Sequence, residues 1–74
     1  MNDSESLDRL LGQMIEGQRE RLLDLARRID PAITADDLMQ PHDHPLLFAS
    51  PDFNFEDGML AGYLAVRAAL RARR

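Results

Sequence analysis

The feature that most constrains this chain is a single apolar stripe through its first 29 residues. Leu7, Leu11, Met14, Gln18, Leu22, Leu25 and Ile29 follow one another at steps of 4, 3, 4, 4, 3 and 4, broken only by Gln18. That spacing marks one face of an α-helix. The stripe recurs every 11 residues, an average of about 3.67 residues per turn, so it runs nearly straight and does not specify a left-handed coiled coil. Leu10, Ile15, Leu23 and Ala26 widen the face, as in a helix packed against more than one neighbour. Ser4 or Ser6 offers a hydroxyl to cap the free amides of the first turn. Arg27 and Arg28 suit the negative end of the macrodipole, and Pro31 disfavours helical geometry at Asp30. The spacing predicts a helix over about residues 5–29. Gly12 and Gly17 each cost about 1 kcal/mol relative to alanine inside it, so they either admit a close neighbour or leave the helix locally soft.

A second helix is expected over about residues 55–73. Asn54 can cap it, with Glu56 and Asp57 in its positive first turn. Phe55, Met59, Tyr63, Val66 and Leu70 form one large-residue face, helped by Leu60 and Leu64. Small residues recur as regularly: Gly58, Ala61, Ala65, Ala68 and Ala72 stand at steps of 3, 4, 3 and 4, with Gly62 and Ala69 beside them. Alanine's helix propensity explains part of that. Two glycines on or beside the stripe point further, to helix backbones approaching more closely than the usual 8–10 Å.

Between the helices lies a segment of another kind. Residues 31–57 hold all four prolines and six acids with no lysine or arginine. Thr34 and Asp37 have capping-box spacing for a single turn that Pro41 ends. Ser50, Pro51 and Asp52 offer a further cap and a proline suited to a first helical position. Leu46, Leu47 and Phe48 are too apolar to lie freely in water, so this connector is expected to fold back over the helices.

Little here resembles a chemical site. His42, Asp43 and His44 are acceptable metal ligands by type, and a divalent-metal-binding bundle is the alternative function they support. Loop histidines bonded to backbone carbonyls or solvent account for them better, because no helical ligand motif completes a coordination shell. Ser4, Ser6, Thr34 and Ser50 lie in no nucleophile elbow, and a glycine-rich phosphate loop is lacking. Asp36–Asp37 and Glu56–Asp57 read as helix N-terminal charges. A two-helix chain also has difficulty enclosing the ~300 Å³ of a small-molecule pocket. The expectation is therefore a protein that is not an enzyme and carries no cofactor.

Length then decides the architecture. With 74 residues and no cysteine, the chain is one small all-α domain, residues 1–74, without a disulfide framework. Two helices cannot easily bury both stripes within one chain. A homodimer forming a four-helix bundle would share the core, with Leu11, Met14, Leu22 and Leu25 and the small-residue row Gly58, Ala61, Ala65 and Ala68 as packing surfaces. The formal charge of −4 hides a gradient: −2 over residues 1–30, −6 over residues 31–57 and +4 over residues 58–74. That balance makes nucleic acid an improbable partner; the C-terminal arginines alone support a weaker alternative, a nucleic-acid-associated dimer. The favoured function is a non-catalytic protein-protein interaction module in which the acidic connector presents Leu46, Leu47, Phe48 and Phe53 to an unidentified protein. No membrane span is expected, since Gly58 to Val66 is only nine uncharged residues against the roughly 20 that cross a bilayer. An acidic N-terminus is unlike a secretory signal, and the predicted location is cytoplasmic.

Overall fold

Both long helices form, and each starts earlier than its sequence signals imply. The computed structural model describes residues 3–73. Helix α1 is Asp3–Ile29, α2 is a single turn at Pro45–Phe48, and α3 is Pro51–Ala72; two 3-10 turns, Asp36–Met39 and Pro41–Asp43, lie between α1 and α2. No strand occurs among the described residues. Ser4 and Ser6 both fall within α1. Its last turn behaves as expected: Asp30 closes onto Ala26, the Asp30 carboxylate accepts from the Ala32 amide at 3.1 Å, and the chain turns at Pro31. Arg27 then donates to the Ile33 carbonyl at 3.2 Å, tying the connector to the helix it has just left.

The start of α3 is a correction. Ser50, not Asn54, is the cap, and its hydroxyl accepts from the Phe53 amide at 3.1 Å. Pro51 explains the choice: its fixed φ suits the first helical position and its missing N–H would have been unsatisfied there anyway. Asn54 falls within the helix and donates to the Phe48 carbonyl at 2.9 Å. Starting four residues early brings Phe53 into the helix, where it is wholly buried.

Phe53 then sets which face of α3 turns inward. The core is Leu22 and Ala26 of α1, Ile33 and Leu47 of the connector, and Phe53, with Leu23, Leu25, Ile29, Leu38 and Leu60 packed against it. Phe55 and Val66, expected on the inner face, are exposed, and Met59, Tyr63 and Leu70 are half-buried. On α1 the buried line is Leu11, Ile15, Gln18, Leu22 and Ala26, while Leu7, Leu10 and Met14 stay exposed. Two apolar rows on one helix lie only some tens of degrees apart at about 100° per residue, and the bulk of Phe53 and Leu60 selects the row through Ile15 and Ala26. Gln18, the break in the stripe, is buried and donates to the Glu56 carbonyl at 2.9 Å and carboxylate at 2.6 Å.

The small-residue row does not join α1 to α3. Gly58, Ala61, Ala65 and Ala68 are exposed, and no heavy atom lies within 4 Å of where a Cβ would stand on Gly12, Gly17, Gly58 or Gly62. Large residues hold the helices apart instead.

The molecule is long and thin, 43 × 19 × 17 Å with a radius of gyration of 14.1 Å, where a compact domain of this length has about 11 Å. Its long dimension is the length of α1, about 40 Å at 1.5 Å per residue. The connector covers one end of the helix pair; towards the other end Leu11 and Ile15 are buried, and Arg71 reaches Asp8 at 3.2 Å.

Replacing Phe53 by alanine should cost about 3–5 kcal/mol, enough to abolish cooperative thermal unfolding of so small a core by calorimetry. Gly62→Ala should stabilise the chain by about 0.5–1 kcal/mol in denaturant titration; a loss instead would reveal another molecule pressed against that row.

Candidate functional site

The connector end of the hairpin gathers most of the residues singled out for function, in two environments. Leu47 and Phe53 are wholly buried and belong to the core, which corrects their expected role as partner-facing residues. Leu46 and Phe48 are exposed, at 64% and 57%, on the outer side of the α2 turn. A one-turn helix placed between Pro45 and the Ser50 cap can turn only one of two adjacent leucines inward, and packing against Phe53 selects Leu47. Two apolar residues not assigned to this surface by sequence, Met39 and Phe55, are more exposed still, at 79% and 68%. Phe55 was hidden by the misplaced helix start; counted from the Ser50 cap it falls two positions beyond Phe53 and therefore faces away from the core.

These side chains stand on a braced scaffold. Asn54 holds the Phe48 backbone, and the His42 ring lies against the Phe48 ring, centroids 5.2 Å apart and planes tilted by 54°. The Thr34–Asp37 box forms: the Thr34 amide donates to the Asp37 carboxylate at 2.9 Å and the Asp37 amide reaches the Thr34 hydroxyl at 3.4 Å. Hydrogen bonds from Thr34 hold the Asp37 carboxyl below its usual 3.8, with the charge of His44, 3.7 Å away, adding a smaller pull in the same direction.

The histidine loop gathers no metal shell. His42 is engaged with Phe48 and His44 with Asp37, and among the described residues no group of three or more histidine, aspartate or glutamate side chains could hold an ion. On the basic tail, Arg71 is paired with Asp8, and Arg71 also stands in the last turn of α3, where positive charge suits the helix dipole. The Glu16–Arg19 pair forms at 3.0 Å on the solvent face. Arg74 lies outside the described residues.

A groove of about 530 Å³ runs between α1, α3 and the connector, floored by Leu22, Leu23, Leu38, Leu60 and Leu64 and rimmed by Glu16, Arg19, Glu20 and Asp57. It has the size of a ligand pocket, larger than a two-helix chain was expected to provide, because the turn carrying Leu38 and Met39 supplies a third wall. It is open along its side and brings together no nucleophile with a base.

Compared with family models, with curated proteins and with solved structures, the chain matches none. No helix among the described residues is long and apolar enough to cross a membrane.

Because Asp37 is depressed, the stability it contributes is present above its unfolded value of 3.8 and lost as pH falls through the lower folded value. Asp37→Asn should lower the melting temperature at pH 7, and the gap to wild type should close on acidification below that range. A gap that persists there would show that the carboxylate charge is not the stabilising element.

Proposed function

We propose that this chain is a non-catalytic interaction module that acts as a homodimer and engages a second protein through its connector end. The observation that carries the proposal is the exposed pair Leu46 and Phe48 on the α2 turn, where Asn54 holds the Phe48 carbonyl, within a segment of net charge −6. Single exposed apolar residues are ordinary on a protein surface, whereas a group of large ones held in fixed positions is the pattern of a binding surface. Here Met39 and Phe55 stand exposed on the same connector end of the molecule. Their backbone is braced before any partner arrives, which lowers the ordering cost of association. The acids around them favour a partner that is basic at the rim of the contact and apolar at its centre, and they speed its encounter. The elongated shape and short core support the homodimer, since each helix buries little more than one row. The proposed compartment is the cytoplasm, in keeping with a chain that relies on no disulfide.

The experiment is affinity capture of the tagged full-length chain after cross-linking in cells, comparing wild type with Leu46→Asp and Phe48→Asp. Both sites are exposed, so helix content by circular dichroism should be unchanged. Partners specific to the connector end should weaken by about 2 kcal/mol or more, the scale of an interface hot spot. Retention of every captured protein by the folded double variant would remove the connector as the binding surface.

A further inference from the structure

We propose that the second copy packs antiparallel onto the side of the hairpin that the connector leaves open, with Leu7, Leu10, Met14, Tyr63, Val66 and Leu70 as the contact. This rests on the homodimer reading above and adds its face and its orientation.

The face follows from the Gln18–Glu56 contact. On α1, Met14 lies one turn before Gln18, and Leu10 and Leu7 continue that row towards the start of the helix. On α3, Met59, Tyr63, Val66 and Leu70 follow Glu56 at 3, 7, 10 and 14 residues, which is the same helical row. Because the helices are antiparallel and Gln18 touches Glu56, the two rows run side by side from that contact to the open end. Leu10 and Val66 are half exposed, and Leu7 nearly so. Along these rows no charge intervenes between Asp3 and Arg21 on α1, or between Glu56 and Arg73 on α3, and Arg67, off the rows, is half-buried. The opposite side of the hairpin is the one walled by Leu38 and Met39, and the small-residue row borders it, since Ala61 lines that groove. The proposed dimer contact therefore lies on the side away from Ala61 and its small-residue row.

Charge selects the occupant and its direction. Residues 31–57 give the connector end −6, while residues 58–74 carry +4. Counting Asp3, Glu5, Asp8 and Arg9 together with Arg67, Arg71 and Arg73, the described residues of the open end sum to +1. Two copies with like ends together would place two −6 segments side by side. Reversing one copy sets each basic end towards its partner's acidic end and still lays apolar row on apolar row about a two-fold axis.

The test uses the full-length chain. Light scattering over a concentration series to about 100 µM gives the oligomeric state, since dimer stability depends on protomer concentration. Leu10→Glu and Val66→Glu should each weaken the dimer at least about tenfold, with helix content retained by circular dichroism, while Ala65→Glu should leave it intact. Should either glutamate variant unfold, Leu10→Gln and Val66→Thr read the same surface through a smaller loss of affinity. The chain has no native cysteine, so a spin label on Ala49→Cys reports the separation of the two connector ends. Antiparallel packing should give a distance beyond about 40 Å, the length of α1, and raised salt should weaken the dimer. A monomeric wild type overturns the homodimer reading and this proposal with it. A dimer indifferent to substitution at both Leu10 and Val66, or broken by Ala65→Glu alone, overturns only the face. Connector ends closer than about half the α1 length overturn the orientation.

Discussion

The burial of Phe53 is the contact on which the rest of the structure depends. It belongs to a cluster drawn from the fold's three parts: Leu22 and Ala26 from the first helix, Ile33 and Leu47 from the connector, and Phe53 itself from the first turn of α3. Ser50 and Pro51 make this possible by starting α3 just ahead of it. Without that start the aromatic ring would sit in a loop, and a loop residue cannot hold one helical row of α3 against one helical row of α1. The connector folds back because Leu47 and Ile33 find the same ring. A connector with three prolines thus becomes a cap on the hairpin and not a slack linker.

Local signals in the sequence were legible, and choices between equivalent surfaces were not. The length of α1, its stop before Pro31, the Thr34–Asp37 box and the Glu16–Arg19 pair all follow from residues within one turn of each other, and all are present. The all-helical hairpin follows from the two periodic stretches. What periodicity leaves open is which of two overlapping apolar rows faces the neighbour, because Met14 and Ile15, or Phe53 and Phe55, are equally apolar. Only the partner's shape separates them. The same holds at the candidate site, where Leu46 and Leu47 are chemically identical and the core takes one. Half of the expected contact residues, Leu46 and Phe48, are on the surface, and Met39 and Phe55 join them for reasons that hydropathy does not encode.

Gln18 illustrates what an interruption in a stripe can mean. A seam of leucine against leucine tolerates a slip of one helical turn at little cost, whereas a buried amide must find its acceptors. Gln18 finds two on Glu56, and a slipped hairpin would leave the amide buried without them. Among the described residues no buried side-chain nitrogen or oxygen lacks a partner, so the polar position fixes register without leaving an unmet hydrogen bond.

The 43 Å length of the hairpin separates its two open surfaces, one at the connector tip and one along the far half of the helices. Neither obstructs the other, so the proposed self-association would leave the tips free. The reversed pair proposed above would be a bivalent rod with a docking tip at each extremity. Two tethered targets whose spacing matched the rod would be captured with an avidity beyond that of either tip, whereas targets held close together would engage only one.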